Sequence, residues 1–86
     1  MSITKLIENL NQRDFLHALR KACRARHVTL EEVLAKGRRT AMVRAREDCI
    51  MLLLNEGLSL THVGDLLDMD HSAVHAAKER VLARTG

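Results

Sequence analysis

Apolar side chains recur at intervals of three and four residues along the chain, and this periodicity is the strongest constraint on its fold. The stripes are formed by Ile3, Leu6, Ile7 and Leu10, by Phe15, Leu16, Leu19, Ala22 and Cys23, by Leu30, Val33 and Leu34, by Ala45, Cys49, Leu52 and Leu53, by Leu60, Val63 and Leu67, and by Val74, Ala77 and Val81. Such spacing places side chains on one face of an amphipathic helix. The 86 residues contain no Pro, Trp or Tyr and one Phe, so strand-forming aromatics are scarce. The sequence therefore predicts an all-α fold, a small helical bundle of about five to six helices in a single domain.

Residues that suit helix N-termini precede several of these stripes. Thr29 is followed by Glu32 three residues later, which is the sequence signature of a capping box. Ser59 and Asp70 stand before the last two stripes, where a hydroxyl or a carboxylate can cap the first turn of a helix. We also expect Asp14 to cap the second helix.

Two glycines mark breaks between the predicted helices. Gly37 lies in the polar segment after the third stripe, and we expect it at the position that follows a helix C-terminus. A long fourth helix then begins at Ala41 or Arg44, and Gly57 ends it. Between the last two helices the pattern leaves a three-residue turn, residues 68–70. A helix, a short turn and a second helix have the spacing of a helix-turn-helix.

The last helix, residues 71–84, presents small and polar side chains on the face opposite its apolar stripe. That face holds Ser72, His75, Ala76 and Glu79, flanked by Ala73. A serine hydroxyl bonds to base edges and an alanine methyl packs on a thymine methyl, so this surface suits the major groove of duplex DNA. An amphipathic surface helix without a DNA partner presents the same pattern, and this alternative stays open.

The net charge of +3 is distributed unevenly along the chain. Residues 1–19 are balanced, whereas residues 20–46 hold nine Lys and Arg against two Glu, a net +7. Residues 47–70 hold six Asp and Glu and no Lys or Arg, and residues 71–86 carry a net +2. A basic block beside a predicted helix-turn-helix is what phosphate contact requires. The scarcity of aromatic residues argues against base stacking, and therefore against a single-strand binder.

Several segments of the chain follow one another in an order and spacing that are specific to one family. They are Val28-Thr29-Leu30-Glu31-Glu32-Val33-Leu34, Lys36-Gly37-Arg38-Arg39, Arg44-Ala45-Arg46, Leu58-Ser59-Leu60 with Val63-Gly64, and Asp70-His71-Ser72-Ala73-Val74. Together they make residues 27–82 resemble the C-terminal DNA-binding domain of the bacterial replication initiator DnaA. The resemblance implies a helix-turn-helix bundle like the DnaA and Trp repressor domains. It divides the chain into N-terminal helices, residues 1–26, and a DNA-binding region, residues 27–84.

The resemblance also implies roles for individual residues. Arg38 or Arg39 would enter the minor groove, and Arg44 and Arg46 would contact phosphates. The residues that would read the major groove are Asp70, His71, Ser72 and Ala73. The predicted set of DNA-binding residues further includes Lys36, Ser59, Thr61, His75 and Lys78.

The chain departs from the family pattern at five positions. The family has Arg in place of Met69 and Glu79, Thr in place of Ala73, Pro in place of Thr61, and a second loop arginine that aligns with Thr40. A shift of one residue would instead align that arginine with Arg39. These differences remove base and phosphate contacts, so the target DNA sequence stays open.

Other function classes lack their sequence signatures. No Gly-x-x-x-x-Gly-Lys-Ser/Thr motif is present, so we expect a DNA-binding domain without the ATPase of the initiator. His71 and His75 have a spacing that can bind zinc, but no third ligand is evident, and we expect no metal and no cofactor. Nothing places a base beside Cys23 or Cys49, so we expect no enzyme activity and two reduced, buried thiols.

Two alternatives about partners stay open. The apolar stripe of the first helix either closes the core or forms a homodimer interface. The protein is either a sequence-specific double-stranded DNA-binding regulator of transcription or replication, or an interaction module that reuses the fold to modulate such a factor. No apolar run approaches the roughly 18–20 residues of a membrane span, and Lys5 and Glu8 interrupt any signal sequence. We therefore expect no membrane contact and a cytoplasmic, nucleoid-associated protein.

Overall fold

A computed structural model describes residues 2–85, and this part of the chain consists of α-helices and connecting turns without a strand. The helices are α1 (Ile3–Gln12), α2 (Leu16–Ala25), α3 (Leu30–Leu34), α4 (Thr40–Asn55), α5 (Leu60–Leu67) and α6 (His71–Thr85). The prediction of an all-α bundle of about six helices is confirmed. α4 begins at Thr40, slightly before the expected start at Ala41 or Arg44, and Arg39 occupies its N-cap position without a side-chain hydrogen bond.

The core lies around α4, which packs against α2, α3, α5 and α6. From α1, Leu6 and Leu10 are fully buried in this core, and Ile3 and Ile7 pack against it. Burying a leucine side chain stabilises a fold by about 1.5–3 kcal/mol. Of the two alternatives for the first stripe, closure of the core therefore accounts for it within a single chain.

The two cysteines lie inside the core, where α2 meets α4. Cys23 and Cys49 are both free and fully buried, and their Sγ atoms are 3.9 Å apart. The expectation of two reduced, buried thiols is confirmed. They fill the interior as small apolar side chains.

The prediction that Asp14 caps α2 is wrong. Asp14 has a φ of 62°, and Phe15, the N-cap residue of α2, makes no side-chain cap. The amides of Asp14 and Phe15 donate to the carbonyl oxygens of Asn11 and Leu10, at 3.1 and 3.0 Å. This is the Schellman pattern, in which a left-handed residue ends a helix, so Asp14 terminates α1 and does not start α2.

The boundaries of α3 are partly as predicted. Thr29 and Glu32 form the expected capping box, since each side chain accepts a hydrogen bond from the backbone amide of the other. The left-handed residue after α3 is Lys36, with a φ of 63°, and not Gly37. Gly37 instead lies against the Met42 side chain, which would have to move to admit a Cβ at this position.

The ends of α4 and α5 confirm the sequence pattern. Gly57, with a φ of 89°, follows the C-terminus of α4. The Ser59 hydroxyl accepts a hydrogen bond from the His62 amide at 3.1 Å and so caps α5. Gly64 permits a close approach, because a Cβ at this position would collide with the Met69 carbonyl. This contact brings residues 68–70, which we call the α5–α6 turn, back against α5.

Candidate nucleic-acid interface

The first turn of α6 exposes short side chains. Ser72 and Ala73 are exposed, as are His71 and His75, whereas Val74 faces the core and is fully buried. Asp70 precedes the helix, and its carboxylate lies 3.2 Å from His71 Nδ1 and 3.5 Å from the Ser72 amide. The predicted major-groove residues therefore share one exposed surface at the N-terminal end of α6, where backbone amides also point outward.

Lys36 joins the basic loop, residues 36–39, to the α5–α6 turn. Its Nζ donates a hydrogen bond to the carbonyl oxygen of Leu67 at 3.0 Å and another to that of Asp68. These carbonyls end α5, where a cation is favoured by the helix dipole. Burial lowers the pKa of the Lys36 ammonium group. Lys36 thus contacts the protein itself and joins the start of the loop to the α5–α6 turn, which precedes α6.

Arg46 also contacts the protein backbone. Its Nη2 donates to the carbonyl oxygens of Val33 at 3.1 Å and Gly37 at 2.9 Å. Its Nε is buried without a hydrogen-bond partner in residues 2–85. Burial lowers the pKa of the guanidinium. The predicted phosphate contact would have to compete with these two hydrogen bonds, which fix the conformation of the basic loop.

The remaining loop arginines differ in their pairing. Arg39 Nη2 lies 3.1 Å from Glu32 Oε2, although the Arg39 side chain is 70% exposed. Arg38 and Arg44 make no side-chain ion pair or hydrogen bond within the described chain. Of the two candidates for the minor groove, Arg38 is therefore the one whose charge is not already shared with a carboxylate.

The rest of the basic block is partly neutralised. Arg20 makes two hydrogen bonds to Glu31, at 3.0 and 3.1 Å, and Arg26 makes two to Asp48, at 2.8 and 3.2 Å. Lys21 and Arg24 are exposed and have no such partner among residues 2–85. Exposed ion pairs contribute little to stability and exchange readily, so they reduce the positive surface without removing it.

The other predicted residues lie on α5 and α6. Ser59 is exposed and caps α5, Thr61 is exposed in its first turn, and Lys78 is half-buried on α6. Next to the α5–α6 turn, an open groove of about 730 Å³ is lined by polar and apolar residues of α1, α5 and the turn, and by Arg13. Three of them are acidic: Asp65, Asp68 and Asp70.

Sequence reasoning missed the buried carboxylate of Glu47. Its side chain is 3% exposed and lies between two arginines of α6, Arg80 and Arg84. The sequence indicates this burial in one way. Glu47 lies four residues after Val43 and three before Ile50, so it falls within an apolar stripe of α4. The partner arginines are 33 and 37 residues away in sequence, so the spacing within α4 could not identify them.

No grouping of three or more His, Cys, Asp or Glu side chains in residues 2–85 could ligate a metal ion. His71 and His75 instead lie near carboxylates, Asp70 at 3.2 Å and Glu79 at 3.4 Å. Across the same residues, every helix is too short or too polar to cross a bilayer.

Comparison of the chain with protein-family models, with curated proteins and with solved structures gave no match.

Proposed function

We propose that the protein binds double-stranded DNA, with α5, the α5–α6 turn and α6 acting as a helix-turn-helix. The observation that carries the proposal is the contact of Lys36 with the end of α5. This contact holds the first residue of the basic loop at the α5–α6 turn, which leads directly into α6. We therefore assign the positive loop and the short-side-chain helix start to one DNA-binding face. Duplex DNA requires both, phosphate contacts for affinity and groove contacts for specificity.

The N-terminal turn of α6 is the part that reads bases in this proposal. Ser72 and Ala73 are small and exposed, so the helix backbone can approach the floor of the major groove. Ser72 donates to or accepts from a base edge, and the Ala73 methyl contacts a thymine methyl. The positive end of the α6 dipole faces the duplex and adds a favourable interaction with phosphate.

Cations without a protein partner supply the phosphate contacts. Lys21, Arg24, Arg38 and Arg44 are such cations in residues 2–85. Arg38 is the residue that we assign to the minor groove, because Arg39 shares its charge with Glu32. Lys36 and Arg46 act indirectly, by fixing the loop that carries Arg38.

For a protein that binds a specific duplex sequence, we propose a role in regulating transcription or replication and a location at the nucleoid. The test is selection of bound sequences from random duplexes, followed by titration with the selected duplex at several salt concentrations. We expect one enriched motif and an affinity that falls steeply with salt, because each phosphate contact releases about 0.9 counterions. Binding weaker than millimolar at low salt would overturn the proposal.

One observation favours a second candidate, a protein-interaction module. The groove beside the α5–α6 turn is lined by Asp65, Asp68 and Asp70, and carboxylates are unfavourable next to phosphates but attract a basic protein segment. If this candidate is correct, the selection enriches no motif, and a Lys- and Arg-rich peptide binds in a manner that D65N weakens.

A further inference from the structure

We propose that Glu47 is a positioning residue that fixes α6 for base reading and that, by the same contacts, withholds two arginines from DNA phosphates. The inference rests on the proposed DNA-binding function. It concerns one group of three residues, Glu47 of α4 with Arg80 and Arg84 of α6, which we call the Glu47 cluster.

In the Glu47 cluster, each carboxylate oxygen contacts a different arginine. Arg80 Nε donates to Oε2 at 3.1 Å, and Arg84 Nη2 donates to Oε1 at 2.6 Å. The arginines are four residues apart and therefore lie on successive turns of one face of α6. Two contacts on one face fix both the rotation of α6 about its axis and its position along α4.

Burial makes these contacts obligatory. A carboxylate removed from water requires charged or hydrogen-bonding partners, and Glu47 is 3% exposed. Burial alone would raise the pKa of this carboxyl group, but the hydrogen bonds from Arg84 and Arg80 bring its pKa below the usual value. Glu47 is therefore ionised at neutral pH. Any movement of α6 that separates Glu47 from both arginines leaves a buried charge without a partner, which is unfavourable.

The rotation that the cluster fixes is the one that matters for base contacts. At 3.6 residues per turn, Ser72 and His75 lie roughly 80° and 140° around α6 from Arg80. Drawing Arg80 toward α4 consequently places Ser72 on the flank of α6 and turns His75 away from α4. The apolar residues beneath α6, Val74 and Ala77, are buried, and the cluster adds polar contacts to this packing beside a partly open cleft of about 280 Å³ between α4 and α6.

The cluster also determines which cations are available to DNA. Arg80 and Arg84 are partly exposed, with 55% and 37% of their side chains accessible. One donor of each guanidinium nevertheless binds Glu47, Nε of Arg80 and Nη2 of Arg84. If Glu47 loses its charge, both guanidiniums become available to phosphates of any sequence. Specific binding would then weaken while sequence-independent binding would strengthen.

The test compares the E47Q variant with the unaltered chain. Affinities are measured for the selected duplex and for a scrambled duplex over a range of salt concentrations, with folding checked by circular dichroism. We expect the ratio of the two affinities to fall tenfold or more. We expect the salt slope on scrambled DNA to become steeper by about 0.9 for each released arginine. A loss of packing alone would lower the melting temperature and leave this slope unchanged.

Asp48 provides a matched control. It neighbours Glu47 on α4, and it pairs with Arg26 of α2 in a half-exposed ion pair. D48N removes one negative charge from the same helix, and we expect it to preserve the affinity ratio. If E47Q does not fold, the same affinities are measured for R84Q, in which Arg80 still pairs with the Glu47 carboxylate. R84Q should lower the affinity ratio without steepening the slope.

The outcomes separate this inference from the proposed function. If the unaltered chain selects no DNA, the proposed function fails and the inference falls with it. If the unaltered chain selects DNA, while folded E47Q or R84Q keeps its affinity ratio, the function stands and the inference is overturned.

Discussion

Arg39 on the basic loop and Arg84 on α6 both pair with a glutamate, yet the two pairs differ in the burial of the acid. Glu32, the partner of Arg39, is 37% exposed, whereas Glu47, the partner of Arg84, is 3% exposed. An exposed pair exchanges with water and with phosphate at little cost, but a buried carboxylate that loses its partner is destabilised strongly. Under the proposed function, the exposure of the acid therefore decides whether a nearby arginine is available to DNA.

The largest effect that this comparison predicts follows from removing both partners of Glu47. The variant R80L/R84L leaves the carboxylate buried and unpaired, so we expect the free energy of unfolding to fall by about 3 kcal/mol. Urea unfolding at neutral pH measures it. R39L serves as the control at the exposed pair and should leave the unfolding midpoint unchanged. Equal losses at the two sites would contradict the comparison.

Lys36 should show an intermediate effect. The variant K36M keeps most of the aliphatic side chain but removes the donor to the Leu67 and Asp68 carbonyls. We expect a loss of about 1 kcal/mol in the free energy of unfolding, the usual contribution of such hydrogen bonds. K21M, on an exposed lysine without a partner in residues 2–85, should have no effect. An unchanged midpoint in K36M would show that the loop does not depend on this contact.

A smaller effect separates the two loop arginines in DNA binding. R38A should weaken binding to the selected duplex several-fold and reduce the salt slope by about 0.9, because it removes a cation that is not paired with a carboxylate of the protein. R39A should weaken binding less, since Arg39 must first leave Glu32. E32Q releases Arg39 and should slightly strengthen binding. Greater loss in R39A than in R38A would assign the minor groove to Arg39.

Lowering the pH should reduce the difference in stability between the unaltered chain and E47Q. The pKa of Glu47 in the folded protein lies below its unfolded value of about 4.3. Its contribution is therefore present above the unfolded pKa and is lost as pH falls through the folded pKa. Melting temperatures between pH 7 and pH 3 should converge for the two proteins. The Arg20 hydrogen bonds lower the pKa of Glu31 likewise, but E31Q should show a smaller, salt-sensitive change. Parallel curves for E47Q would contradict the assignment.

The sequence predicted the features that depend on neighbouring residues. The apolar stripes, the capping box at Thr29 and the cap at Ser59 are local patterns, and the structure has them as expected. The exception is Leu52, which was expected on the inward face of α4 but is 38% exposed. Asp14 and Gly37 were misplaced because a left-handed residue at a helix end depends on how the chain turns there. Asp14 ends α1 instead of starting α2, and Lys36 takes the left-handed position that was expected for Gly37. The contacts of Lys36 with the end of α5 span more than 30 residues, which no local pattern encodes.

The predicted DNA-binding set shows the same division. Asp70, His71, Ser72 and Ala73 lie together because they are consecutive at a helix start. The sequence could not distinguish Arg38 from Arg39, nor could it show that Arg46 donates to backbone carbonyls. Both distinctions depend on the fold, which decides which arginine meets an acid or a carbonyl.

The central claim, that α6 and the basic loop bind duplex DNA together, is tested most directly by the salt dependence of binding to a selected duplex. The four cations that we assign to phosphates, Lys21, Arg24, Arg38 and Arg44, predict a slope of about −3.6 in a plot of log affinity against log salt concentration. A slope near this value, with a single enriched sequence motif, is the expected result. Binding that is weaker than millimolar at low salt, or that is independent of salt, would contradict the claim.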